Sequence, residues 1–262
     1  MFNNHEVESR IKDDNDFIAN CDLPDCDHLS HIAPRLGGFN IDEKNAEAVV
    51  AGNTIVAIAA GMSKYNKGII KDSVLFATIA AEKRFPQDGV ARYGHFIRVL
   101  LGCGWFSQAS GMSDYRSSHR RFSMDQAALD VLKSAIVAAA VPGPTALLLM
   151  KIAKEAVEAL QSDEAKRELF DGKSRNHSGA SFAMASSAES ADGEVVMAMG
   201  ALDFTTSLRV TDVLFWEWSS SALHIKRAQN HLSLNQAQYE RVRRTVERKL
   251  DEYGNQALNE LF

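Results

Sequence analysis

Four side chains of the types that bind soft metals lie within eleven residues near the start of the chain: Cys21, Cys26, His28 and His31, in the segment CDLPDCDHLSH. Thiolate and imidazole are the ligands zinc prefers, and the C-x4-C spacing suits a zinc knuckle. The H-x2-H that follows at once would have to fold back sharply to complete a tetrahedron. The competing reading is an acidic arm with incidental thiols. Zinc at this arm is the one cofactor the sequence suggests.

Cys103 stands at the end of an apolar helical pattern, between Gly102 and Gly104 and before Trp105. As a nucleophile it would need a histidine base within hydrogen-bond reach, and His95 is two helical turns earlier, roughly 12 Å along the axis. The alternatives are a lipid attachment point and a buried cysteine behaving as a small hydrophobe. The loop DYRSSHRR gathers Arg116, His119, Arg120 and Arg121 beside Tyr115. Guanidinium and imidazole groups at that density suit a phosphate, a sulfate or an anionic lipid head group, or else form a solvated loop. No complete catalytic motif accompanies them. The phosphate cradle G-x-x-x-x-G-K-[ST] and the nucleophile elbow G-x-S-x-G are absent, and GCG at 102–104 lacks the strand and third glycine of a dinucleotide fingerprint. Asp203 and Glu217 lie in strand-like runs without a visible partner.

The elements that must position these groups centre on residues 134–150, SAIVAAAVPGPTALLLM, a run without a charge broken by Pro142, Gly143 and Pro144. As one straight helix it would span about 25 Å, short of a hydrocarbon core of roughly 30 Å, and the proline break forbids a straight helix. The pattern therefore predicts the turn of a helical hairpin buried through Leu147, Leu148, Leu149 and Ile152. Leu147 and Leu148 are then lipid-binding candidates on condition that the hairpin opens or covers an apolar cavity. Ser123 and Gln126 supply a capping box for the first arm.

Around this hairpin the chain reads as α+β: an N-terminal helical layer packed on a C-terminal four-stranded antiparallel meander, closed by a C-terminal helix. Residues 1–40 are expected as a loosely ordered arm and residues 41–262 as one domain, helical over 41–171, with sheet and closing helix over 172–262. A helix is expected over 41–62, where acids precede Val49, Val50, Ile55, Val56 and Ile58. SKYNKG reads as a turn, and DSVLFATIAAEKRF and QDGVARYGHFIRVLLGCGW as further helices. The strand candidates are SFAMASS, VVMAMGALDFTT, TDVLFWEWSS and LHIKRAQNHLSL, the last and most polar at a sheet edge. QAQYERVRRTVERKLDEYG is the amphipathic closing helix.

With 262 residues, 45 % hydrophobic and 24 % charged, the composition is that of a globular chain able to bury a sizeable core. A formal charge of −5 argues against a nucleic-acid partner. The polar, acidic start lacks the basic and apolar regions of a Sec signal, so synthesis and residence in the cytoplasm are the default. Non-classical release to a host would leave no mark in the sequence. Three cysteines make no disulfide framework.

Between Tyr93 and Leu250 an order of features stands out: GW at Gly104 and Trp105, FSMDQAALDVL at 122–132, and an LF followed by a His-containing loop before SGASF at 169–182. GEVVMAMGALDF at 193–204 and LSLNQAQYERVRRTVERKL at 232–250 complete it. In these the chain resembles a family of mostly uncharacterised bacterial proteins and the Erwinia virulence factor group, small α/β proteins linked to persistence in the insect gut and to fatty-acylation of a cysteine. In that group the acylated cysteine falls late in the chain, where this sequence has none, so acylation is carried to no residue here. The resemblance and the apolar hairpin together suggest a non-enzymatic host-interaction or toxin-like protein that associates with membrane lipid or an apolar, acyl ligand. The rival class is a hydrolase or acyltransferase using Cys103 or a histidine near the arginine loops. A third is a structural or partner-binding oligomeric module.

Overall fold

A computed structural model describes residues 4–24, 37–40, 46–107, 111–139, 141–190 and 192–259. Its helices are α1 (Asn4–Ala19), α2 (Lys64–Arg84), α3 (Gly89–Gly102), α4 (Met124–Ala138), α5 (Gly143–Ser162), α6 (Glu164–Ser174) and α7 (Gln236–Asn259). The strands are β1 (Gly37–Asn40), β2 (Glu47–Ala51), β3 (Thr54–Ile58), β4 (Trp105–Ser107), β5 (Ser113–Tyr115), β6 (Arg121–Ser123), β7 (Arg175–Asn176), β8 (Gly179–Glu189), β9 (Val195–Thr205), β10 (Glu217–Ser219) and β11 (His224–Leu234). The α+β class holds, with a larger and more central sheet than the sequence predicts.

The main sheet runs β1-β2-β3-β8-β9-β11-β4, with β5 also on β11 and β7 on β8. Its spine is β8, β9 and β11, paired antiparallel over nearly their full length. β3 joins that spine in parallel with β8. Helices cover both faces. One core gathers α2, α3 and α7 with the end of α1 around Phe76, Phe96, Trp105 and Tyr239. The other gathers α4, α5 and α6 around Leu132, Ile152, Phe170 and Trp218. Burial on both faces makes β8 and β9 nearly continuous apolar runs rather than alternating ones.

Four expectations change. Residues 47–58 form a β-hairpin, not part of a helix over 41–62: Ala51 faces Thr54 across a two-residue turn at Gly52 and Asn53. Gly52 has φ +60°, and a Cβ there would sit 2.7 Å from Thr78 Cγ2, so the turn requires glycine. Val49, Val56 and Ile58 enter one core while Val50 and Ile55 enter the other. A strand buried on both faces carries no alternation, which is why its β-branched run mimicked a helix. SKYNKG is the start of α2, whose first turn is capped by Ser63 Oγ accepting the Asn66 N–H at 3.2 Å. TDVLFWEWSS contributes only Glu217–Ser219, and β10 pairs with β6 in a separate two-stranded ribbon. The meander therefore lacks its third strand, and β11 lies inside the sheet between β9 and the β4 and β5 segments, not at an edge.

Asp203, without a visible partner in the sequence, acquires neighbours through register. Ser181, Asp203, Lys226 and Asp114 stand directly opposite one another across β8, β9, β11 and β5. The start of α3 lies on this row so closely that a Cβ on Gly89 would come within 1.9 Å of Asp203 Oδ1. Burial raises the Asp203 carboxyl, while Lys226, Arg92 and the Ser181 hydroxyl pull it back down.

Candidate functional site

The residues singled out in the sequence distribute around the α4–α5 hairpin and the opposite core. α4 starts at the predicted cap, where Gln126 Oε1 accepts the Ser123 N–H at 3.5 Å. Its inner face, Ala127, Ala128, Val131, Leu132, Ala135 and Ile136, packs on the sheet. A Cβ on Gly200 would lie 2.9 Å from Leu132 N, so the α4 backbone rests directly on β9. α5 opens with Pro144 in its first turn, where the missing N–H costs nothing, and Ala146 N–H bonds Pro142 O at 2.9 Å. Leu149, Ile152, Ala153, Ala156, Val157 and Leu160 form its buried stripe.

The hairpin has two functional ends. Beside the first half of α4 lies a cleft of about 380 Å³ lined by Tyr115, Ser117, His119, Arg121, Phe122, Gln126, Ala127 and Asp130. His119 and Arg121 thus line a cleft, and Arg116 and Arg120 do not, although all four side chains are exposed. The His119 N–H bonds Ser117 Oγ at 3.1 Å, tightening the loop. Burial raises the Tyr115 phenol, the Asp130 charge adds to this, and Arg227, 5.5 Å from the ring centroid, opposes it. The cleft offers two cationic-type groups, one carboxylate and one phenol to a polar ligand.

The other end is the turn. Val137 is 71 % and Leu147 75 % exposed, flanking the exposed Pro142, Gly143 and Pro144. The expected burial of Leu147 is therefore corrected, and Leu148 is only half-buried against the core. The reason is angular: Leu149 defines the inner stripe, and a residue two positions earlier points about 200° away on a helix of 3.6 residues per turn. Leu147 reaches solvent without the hairpin opening. Val137 was missed because its chain neighbours are all apolar, yet its i, i+4 relation to the charged Lys133 placed it on the outer stripe. Among the described residues no helix is long and apolar enough to cross a membrane.

Cys103 is fully buried, and burial, with a smaller contribution from Cys21, pushes its thiol far up. His95 is held edge-to-face between Phe17 at 6.0 Å and Phe85 at 5.8 Å. Cys103 thus has the environment of a small packing residue rather than of an activated thiolate. Cys21 is also buried with a free thiol, pushed up to about 11. Cys26, His28 and His31 lie outside the described residues. Among the described residues no cluster of three or more histidine, cysteine or acidic side chains has metal-site geometry.

No known sequence family matches this chain, and neither does any curated protein. The solved structures that are distantly similar include an Evf virulence factor and a delta-endotoxin. The Evf virulence factor is 12 % identical over 94 % of this chain and 90 % of its own, with a TM-score of 0.33. The delta-endotoxin is 12 % identical over 78 % of this chain and 86 % of its own, with a TM-score of 0.38. These values are too low to assign a family.

Proposed function

We propose that this is a non-enzymatic interaction protein of the host-directed, virulence or toxin kind, and that it docks on a membrane surface through the α4–α5 turn. The observation that carries the docking is the exposure of Val137 and Leu147 together at the apex of an uncharged helical turn. Moving such side chains from water to an apolar medium is worth roughly 1.5 to 3 kcal/mol each when complete. Both helices are anchored by their inner stripes, so the apex meets a bilayer as a preformed wedge and pays no unfolding cost. Docking then means lying at the interface rather than spanning the membrane.

Flotation of the purified chain with phosphatidylcholine vesicles at high lipid tests this reading. Wild type is expected to rise with the vesicles, and a Val137→Asp, Leu147→Asp double variant to remain at the bottom. Protein that stays at the bottom with neutral and with anionic vesicles, at neutral and acidic pH, removes the membrane role.

A second reading is supported by the cleft at Tyr115, His119, Arg121 and Asp130, which fits a small anion and would serve the enzyme alternative. Calorimetric titration with inorganic phosphate tests it: heat that disappears in Arg121→Gln supports the cleft, and no heat in wild type excludes phosphate there.

A further inference from the structure

We infer that Lys133, Lys151 and Lys154 form a basic collar that makes the hairpin apex selective for anionic phospholipid surfaces. This rests on the docking reading above and names the lipid that the same site prefers.

The outer stripes of the two helices carry matching patterns. On α4 the exposed residues running away from the apex are Val137, Lys133 and Asp130. On α5 they are Leu147, Lys151, Lys154 and Glu158. In both, an apolar residue stands within about one turn of the helix end that meets the loop, lysine comes one turn further back, and acid comes only after it. Four residues correspond to about 6 Å along a helix, within the roughly 5 to 10 Å to which an interfacial apolar face sinks. A hairpin whose Val137 and Leu147 side chains are immersed leaves both first lysines, about one turn behind them, at head-group level. Their long aliphatic stems extend the apolar surface while the ammonium groups remain in the polar layer.

The charge distribution supports an anionic lipid as the occupant. The chain as a whole carries −5, yet the segment 131–154 contains Lys133, Lys151 and Lys154 and no acid. An acidic protein with a basic, acid-free segment at this hairpin is drawn to a negative surface by that end. The ion pairs of Lys151 with Glu155 at 4.0 Å and Lys154 with Glu158 at 3.9 Å are long, and both lysine side chains are more than half exposed. They exchange readily for a phosphate partner. Two aliphatic anchors alone match the marginal hold of one short acyl chain, and stable association requires a second signal. The collar supplies it, at about fivefold in affinity per lysine near an anionic surface.

Flotation of the full chain with phosphatidylcholine vesicles, against vesicles of phosphatidylcholine mixed with phosphatidylserine, tests the collar. Wild type is expected to bind the anionic vesicles roughly a hundredfold more tightly, a preference that fades as salt shortens the screening length. Lys133→Gln, Lys151→Gln, Lys154→Gln should abolish the preference, and the same three changes to Arg should keep it. Circular dichroism is expected to be unchanged in both sets. Equal binding of wild type to the two vesicles overturns the collar and leaves the docking reading standing, whereas binding to neither removes both. Anionic preference that survives the Gln changes also overturns the collar. So does lipid-free dimerisation in sedimentation that is lost in Leu147→Asp, since the apex would then belong to a second copy.

Discussion

The α2–α3 and α4–α5 hairpins both turn at a proline, and they treat their turns in opposite ways. At the α2–α3 turn, buried Arg92 reaches back and donates from Nε to Phe85 O at 3.0 Å and from a terminal nitrogen to Pro86 O. Asp88 Oδ1 caps α3 by accepting the Ala91 N–H at 2.9 Å, and Lys83 Nζ bonds Leu23 O at 2.6 Å. The turn is polar, crosslinked and tied to neighbouring elements. The α4–α5 turn has no side-chain cap on α5 and presents valine, proline and leucine to solvent. One hairpin spends its side chains on holding the fold, and the other holds itself from beneath and leaves its apex available.

Removing the clamp should have the largest effect. Arg92→Met leaves the Phe85 and Pro86 carbonyls and the nearby Glu82 and Asp203 charges without their buried partner, and is expected to cost about 3 to 5 kcal/mol in urea unfolding. Next is the underside of the other hairpin, where Leu149→Ala should cost about 2 to 5 kcal/mol, because Leu149 is fully buried. Gly89→Ala, driven against Asp203, should cost about 1 to 3 kcal/mol by overpacking, and thermal unfolding would show it.

A smaller effect tests the other end of the α4–α5 layer. Asp171 closes α6 on the loop that covers this layer, its Oδ1 accepting the Val213 N–H at 3.0 Å. Burial pushes its carboxyl up to about 6, against that hydrogen bond. A raised acid favours folding below its unfolded range near 3.8, and the benefit is lost as pH rises through about 6. Asp171→Asn keeps an acceptor and removes the titration, so its stability relative to wild type should improve by about 1 kcal/mol from pH 5 to pH 7. The relative measurement matters because His95 and His231, both held below the usual imidazole range by burial, act in the opposite sense over the same window.

The smallest stability effect is expected where the lipid effect is largest. Val137→Asp and Leu147→Asp should change urea midpoints by no more than about 0.5 kcal/mol, since neither side chain has a core contact to lose. A large loss of stability there would mean that the apex is structural and would erase the contrast between the two hairpins.

Helices with one buried stripe were legible from residue order: α3, α4, α5 and α7 follow their 3.6-residue period, Ser123 marks the start of α4 and Pro142 that of α5. Elements buried on both sides were not. The β2–β3 hairpin and the first turns of α2 were misread because double burial removes the alternation that separates strand from helix, and because the Ser63 cap sits in a segment that looks like a turn. Of the candidate site, the uncharged run and the arginine loop were visible, but their division of labour was not. Nothing in the order of residues distinguished His119 and Arg121, which line a cleft, from Arg116 and Arg120.

What the sequence determined alone was the place of the α4–α5 turn, because proline cannot donate the hydrogen bond that a continuing helix needs at that point. It also determined the spacing of Lys133 and Lys151 from the apex, which follows from the rise of a helix. That Val137 and Leu147 are left to water rather than covered was decided only when α4 settled on Gly200 of β9 and α5 on β3 and β8. Solvent exposure depends on what occupies the opposite side, and distant strands brought together by sheet register supply that.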